Sequence, residues 1–293
     1  GWFKGRVNDT YALGDWYIDK NKFPNGLKPF SDKCKQRGLK FGIWVEPEMI
    51  CILSDLYKAH PEFACIIPSR EPIERRHQLN IDMSNPKVVD YLFDCLSNVF
   101  NECDPYYVKW DYNRTISDPY SSIGINYGEY LYKYIFGTYS LIERLKNRFP
   151  NILFESCSSG GARYDLGMLY YFPQIWTSDN TDAFDRAHIQ YGTSLCYPIS
   201  SMSCHVSVCP NHQTNRTTPF LTRCDIASLG PTGFELDLTK LNSSEKNQVI
   251  EQIQRYKQIK ELVIKGDLFR LSNPFESDVF AEIIVSKNNG VVL

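Results

Sequence analysis

Four stretches of this 293-residue chain set polar, charged and aromatic side chains directly after a short apolar run. Phe41-Gly42-Ile43 leads into Trp44-Val45-Glu46-Pro47-Glu48, and Tyr106-Tyr107-Val108 into Lys109-Trp110-Asp111-Tyr112-Asn113-Arg114. Ile152-Leu153-Phe154 leads into Glu155-Ser156-Cys157-Ser158-Ser159-Gly160-Gly161, and Gln174-Ile175 into Trp176-Thr177-Ser178-Asp179-Asn180. In a parallel α/β barrel the reactive groups sit at the C-terminal ends of strands, in the loops that follow. A purely structural core has no need of such a concentration.

Lys109, Asp111 and Asn113 are spaced two apart, so on a strand they share one face. An ammonium two residues from a carboxylate favours its ionised form, as a nucleophile requires; a buried structural ion pair has the same spelling. Asp179 follows Asp111 by 68 residues, at the end of a different strand. Two carboxylates on separate strands are what glycoside hydrolysis uses: one attacks the anomeric carbon, the other protonates the leaving oxygen and then activates water. Asp182 and Asp185 compete for the second role, but their positions fit a helix cap or a pair with Arg186. Asp179 is preferred because it ends a strand.

The neighbouring residues suit a sugar. Trp44 offers a flat apolar face to pyranose C–H groups and serves equally well as core packing. Arg76 can fork hydrogen bonds to ring hydroxyls, although a solvated loop charge is the commoner fate of Arg. Gly160-Gly161 lets backbone approach a ligand, or makes a plain turn. Cys157 reads as a pocket wall rather than a nucleophile, since no His lies near it in sequence. Glu46 and Glu48 read as structural carboxyls.

These groups need a frame, and the texture of short β-rich runs between helical stripes predicts a parallel α/β fold. Strands are expected at 41–45, 79–83, 106–110, 152–155, 175–178, 194–199 and 234–238, one short of an eightfold barrel. Val88, Val89, Leu92, Leu96, Val99 and Phe100 form a helical stripe after Pro86, a favoured helix opener. A second stripe is Tyr127, Leu131, Tyr134, Ile135, Leu141, Ile142 and Leu145. A third is Val249, Ile253, Tyr256, Ile259 and Val263, capped by Asn242 or Ser243 and stopped at Gly266. The opening Gly1-Trp2-Phe3 reads like the loop after a strand. At the other end 279–286 alternates as a strand, Asn289-Gly290 signals a hairpin turn, and Val291-Val292-Leu293 starts a return strand. The expectation is a fragment cut near a first barrel strand and inside a second, β-rich domain.

Composition narrows the class. With 43% hydrophobic and 23% charged residues the chain is globular, and 32 Lys and Arg against 34 Asp and Glu leave no basic excess for nucleic acid or an anionic membrane. No apolar run is long enough to cross a bilayer, and the first twenty residues hold no signal-peptide core. The ten cysteines are scattered without CxxC pairs, as expected of buried thiols in a reducing, cytoplasmic setting. Cys204-His205 and Cys209-Pro210-Asn211-His212 invite zinc, but their spacing does not match the close ligand pairs of structural sites, and loop packing is expected instead.

The stretch 41–49, the run Lys109 to Arg114, Cys157-Ser158-Ser159-Gly160-Gly161 and Trp176 to Ala183 together resemble the α-galactosidases of glycoside hydrolase family 36. His205-Val206-Ser207 with Pro210-Asn211-His212-Gln213-Thr214 shares the likeness, which runs the length of the chain. The resemblance implies a (β/α)8 TIM barrel lacking its first strand over 1–265, and the start of a C-terminal β-sandwich over 266–293. It implies a retaining hydrolase of terminal α-galactosides such as melibiose and raffinose, with carboxyl groups about 5–6 Å apart. Asp111 takes the nucleophile position and Asp179 that of the acid/base. Trp44, Arg76, Lys109, Asn113, Cys157 and Gly160 fall on galactose-binding positions, with Cys157 and Gly160 walling the site near C2. In the family an Asp-Asp pair that grips the galactose 4- and 6-hydroxyls precedes Gly-Trp-Phe, and this chain starts at that glycine, so as a fragment it is expected to bind substrate poorly. No metal or organic cofactor is implied, and relatives often form tetramers. The alternatives are a galactosyltransferase of the raffinose- or stachyose-synthase type and a catalytically silent sugar-binding fragment.

Overall fold

A computed structural model describes residues 1–287 and 289–293. In chain order the elements are α1 (Lys28–Gln36), β1 (Gly42–Val45), β2 (Met49–Ile50), α2 (Asp55–Ala59), β3 (Leu79–Asn80), α3 (Pro86–Cys103), β4 (Tyr107–Trp110), α4 (Tyr127–Arg148) and β5 (Leu153–Ser156). There follow α5 (Leu166–Tyr171), β6 (Gln174–Trp176), α6 (Ala183–Ser194), β7 (Met202–Ser207), α7 (Phe220–Ala227), β8 (Thr232–Glu235), α8 (Ser243–Lys265), β9 (Asp267–Arg270), β10 (Glu282–Val285) and β11 (Gly290–Val292). They gather into two compact units, residues 1–159 with 170–172 and residues 160–169 with 173–293.

In the first unit β1, β4 and β5 run parallel, with Trp44 opposite Lys109 and Lys109 opposite Glu155. Parallel neighbours need a long crossover, and α3 and α4 supply it. Asn85 caps α3 by accepting the Lys87 N–H, Pro86 opens the first turn, and the expected stripe is buried. The stripe expected on α4 is only half right. Tyr134, Leu141, Ile142 and Leu145 are buried, but Tyr127, Leu131 and Ile135 are exposed. The reason is Gly137, where an added Cβ would lie 1.8 Å from the Met83 carbonyl oxygen. That close approach turns the Tyr130, Tyr134, Thr138 and Leu141 face inward instead.

The strand expected at 79–83 is shorter and pairs antiparallel with β2, outside the parallel set. The chain curls there because Met83 N–H bonds back to the Ile81 carbonyl and Asp82 takes the Ser84 N–H.

The second unit holds parallel β6, β7 and β8, then antiparallel β9, β10 and β11. Its core joins Met202, Cys204 and Val206 of β7 to Cys224, Leu229, Val263 and Ile284. The expected strand at 194–199 is not one: Ser194 ends α6, Ile199–Ser201 form a 3-10 turn, and the strand is β7. Its signal was present in Met202, Cys204 and Val206 alternating with Ser203, His205 and Ser207, but the stretch also carried the look of a metal site. Asn242 and Glu245 form a reciprocal capping box at the start of α8. The terminal hairpin forms, yet Gly290 pairs with Val285 and Ser286 N–H meets the Asn289 carbonyl, so Asn289-Gly290 opens the strand rather than making the turn.

Candidate active site

The first unit brings Trp44, Lys109, Asp111, Asn113 and Cys157 to the C-terminal ends of its three parallel strands. Asp111 is buried one residue beyond β4, where its N–H donates to the Val45 carbonyl and extends the ladder. Its carboxylate accepts the Trp44 indole N–H at 3.1 Å on Oδ2 and the Tyr112 N–H at 2.9 Å on Oδ1. Trp44 is half-buried beside Phe3 and Trp16, so the indole packs and donates at once.

The partner expected for Lys109 was Asp111, but its ammonium lies 3.4 Å from Glu155, which is wholly buried. Burial pushes the lysine down, and Glu155, Cys157 and Asp111 outweigh it, leaving the ammonium above its ordinary value. Glu155 stands near the end of β5, and the cross-strand register is the signal that pairs it with Lys109. Cys157 is buried, with its N–H on the Trp110 carbonyl. Asn113 N–H donates to Glu46 at 3.1 Å, and its side-chain oxygen accepts the Ser159 hydroxyl.

Glu46 and Glu48 separate in role. Glu48 accepts from the Trp110 indole, Tyr134 and Thr138, a satisfied structural carboxylate. Glu46 is pushed up to about 8 by burial and then by the charge of Asp111, with Arg76 pulling the other way, so it carries a proton at neutral pH.

Arg76 stands at the tip of a two-residue turn. Arg75 and Gln78 exchange backbone hydrogen bonds, and Arg76 and His77 between them have φ of 53° and 58°. Such a turn is the usual province of Gly and Asn. Buried Arg114 holds the turn by donating to the carbonyls of Ile73 and Gln78 at 2.7 and 2.6 Å, a role sequence reading missed.

The second unit holds Asp179 and Gly160. Asp179 is exposed, and its Oδ1 accepts the Trp176 indole N–H at 2.9 Å. Gly160, at φ 89°, lies against this strand end: an added Cβ would be 2.9 Å from Ser178 Cα and 3.0 Å from Asp179 N. The paired glycines thus serve close backbone packing on Thr177–Asp179. Asp182 caps α6 through Phe184 and Asp185 N–H, as expected, but its ion partner is Arg216, not Arg186. Residues of the 205–214 stretch hold the loop after Asp179. Ser207 donates to the Thr181 carbonyl, Asn211 to the Thr181 hydroxyl, Thr214 to Asp182, and Gln213 accepts the Thr181 N–H.

The Melibiase family model matches residues 1–266. The chain is 45% identical to alpha-galactosidase Mel36A of Lactobacillus acidophilus, over all of this chain and 40% of that one. It is 47% identical to alpha-galactosidase 1 of Pediococcus pentosaceus, over 98% of this chain and 39% of that one. A variant of GH36 alpha-galactosidase AgaA from Geobacillus stearothermophilus, solved in complex with raffinose, superposes with a TM-score of 0.97 at 45% identity, over 100% of this chain and 41% of that one. The chain spans about two fifths of the length of the curated relatives it matches.

Proposed function

The chain belongs to the melibiase family, glycoside hydrolase family 36, and on that footing we propose that the protein is a retaining α-galactosidase acting on terminal α-galactosides of the melibiose and raffinose type. The observation that carries the reading is Asp111: a buried carboxylate just past a parallel-strand end, fixed by an indole N–H and a backbone N–H, with the ammonium of Lys109, two residues earlier, attracted by its charge. Two donors hold it in one orientation, which is what a nucleophile attacking one carbon needs.

In this mechanism Asp111 attacks the anomeric carbon while Asp179 gives its proton to the leaving oxygen. A covalent β-galactosyl-enzyme results. Water then attacks the same carbon as Asp179 takes a proton from it, and the α configuration is restored. Trp44, Arg76, Lys109, Asn113, Cys157 and Gly160 are assigned to galactose. The two carboxylates supply nucleophile, acid and base, so the mechanism draws on no cofactor.

The parallel strands and intervening helices support a (β/α)8 barrel without its first strand over 1–265, with 266–293 opening a C-terminal β-sandwich. Seven of the ten cysteines are buried thiols, which suits a reducing compartment, and we place the protein in the cytoplasm. A homotetramer is the proposed assembly.

The test is release of p-nitrophenol from its α-galactoside by the full-length natural protein. Asp111→Ala should lose activity on this substrate by about 1,000-fold or more, and Asp179→Ala should lose as much on melibiose, whose leaving group needs the proton, but less on the aryl galactoside. Azide should restore turnover to Asp111→Ala and give β-galactosyl azide. Formation of an α-azide with that variant, or of β-galactose as first product from wild type, would overturn the assignment. Galactosyl transfer outpacing hydrolysis at high acceptor concentration would reassign the protein to the transferases.

A further inference from the structure

We propose that Trp176 is a positioning residue for the proton donor: by donating its indole N–H to one oxygen of Asp179, it confines the transferable proton to the other. The inference rests on the acid/base reading of Asp179 and deepens it. An indole nitrogen carries a hydrogen and accepts nothing, so the oxygen it contacts must be the acceptor. That oxygen is Oδ1, at 2.9 Å. When the acid is protonated, a carbonyl-type oxygen accepts the indole N–H better than a hydroxyl oxygen does, which favours the proton on Oδ2. It is Oδ2–H that breaks as the glycosidic oxygen takes the proton and keeps the electron pair of the bond to the anomeric carbon. In the second step Oδ2 receives the proton from the attacking water.

The device is rigid where the acid is not. Asp179 is exposed, with freedom to rotate about its side-chain bonds, whereas Trp176 is 2% exposed and sits on β6 paired to β7. The Arg186 guanidinium carbon stands 4.8 Å from the indole centre, and the His205 ring centroid 4.6 Å from it. Arg186 is itself fixed by donating to the carbonyls of Ser178 and Ser203 and to Gln190. Cation and imidazole thus hold the indole plane, and the indole aims its N–H. A satisfied core tryptophan would meet a backbone carbonyl as readily; this one meets the catalytic carboxylate three residues on.

The inference predicts a dependence on the leaving group that a structural role lacks. Melibiose departs as a sugar alkoxide and needs its proton; p-nitrophenolate is a stable anion and needs it far less. In the full-length natural protein, Trp176→Phe keeps an aromatic ring and removes the donor. Its kcat/KM should fall by about 10–100-fold on melibiose and by less than about 3-fold on p-nitrophenyl α-galactoside, within the range of a positioned general acid. Where the Phe variant does not fold, benzothienylalanine at 176 keeps the indole shape with sulfur in place of N–H. Equal losses on both substrates, or none, would overturn the inference. Asp179→Ala run alongside separates the two failures. If it shows the leaving-group dependence and the Trp176 variant does not, the positioning role alone is wrong; if it shows none, the acid/base reading falls and this inference with it.

Discussion

Lys109 and Glu155 occupy paired positions on neighbouring parallel strands, ammonium 3.4 Å from a carboxylate with no solvent exposure. Removing one partner of a buried pair costs more than the pair is worth, because the remaining charge must stay desolvated. Lys109→Met should destabilise the fold by about 3 kcal/mol in urea unfolding. The double variant Lys109→Met/Glu155→Gln should recover more than half of that loss. A double no more stable than the single would mean Lys109 acts on Glu155 only at long range.

Gly160→Ala tests how closely the Gly160 backbone must pack on that of Ser178 and Asp179 within the second unit. The methyl would press on the backbone of Ser178 and Asp179, and the φ of 89° is foreign to L side chains. Left-handed backbone alone costs an L residue about 1–2 kcal/mol. The clash falls on the residue proposed as proton donor, so we expect kcat/KM to drop about 10-fold or more along with the melting temperature. Gly192→Ala is the control. That glycine lies within α6 with nothing within 4 Å of the added methyl, and the change should stabilise by about 0.5 kcal/mol without touching activity.

Much of this was legible in the sequence, because strand-end chemistry is local. Asp111, its indole neighbour and the capped helices α3 and α8 each announce themselves within a few residues. What was hidden is what depends on register. Glu155 meets Lys109 only because β4 and β5 align residue for residue across a 22-residue helix, and no spacing rule sees that. The inward face of α4 is hard to read because aromatic and aliphatic side chains crowd its N-terminal half on more than one side, and a single glycine against Met83 decides the rotation. Strand β7 lies eight residues past the stretch where a strand is expected, because Cys204 and His205 within it read as part of a possible metal site rather than as alternating strand positions. The loop-holding roles of Asn211 and Gln213 were invisible for the same reason as Arg114: their partners lie 30 or more residues away in the chain.

The turn that presents Arg76 should trade stability against binding. Both central residues are left-handed without being Gly or Asn. His77→Gly should stabilise by about 0.5–1 kcal/mol, the relieved strain less the extra freedom of the unfolded chain, with kinetics unchanged. Arg76→Gly should gain similarly in thermal unfolding while KM for galactosides rises about 10-fold or more, since the charge assigned to ring hydroxyls is gone. A loss of stability in either variant would show that Arg114 imposes no strain on the turn.

Glu46 makes a prediction about pH whose sign follows from its raised value. Its carboxyl titrates at about 8 in the fold against 4.5 in the open chain, burial being the first cause and Asp111 the second. Between those values the native state holds a proton the unfolded state has released, so stability falls as pH rises through this window. Glu282, raised by burial to about 7, contributes in the same direction, and burial raises Asp15 and Asp82 as well. The wild-type slope is therefore shared, and the diagnostic is the difference made by one substitution. Glu46→Gln keeps an acceptor for the Asn113 N–H and cannot ionise. Unfolding free energies measured from pH 5 to 9 should decline less steeply in this variant than in wild type, with the two curves closest at the acid end. Parallel curves would mean that Glu46 is ionised throughout, and that a second negative charge beside Asp111 is tolerated in the fold.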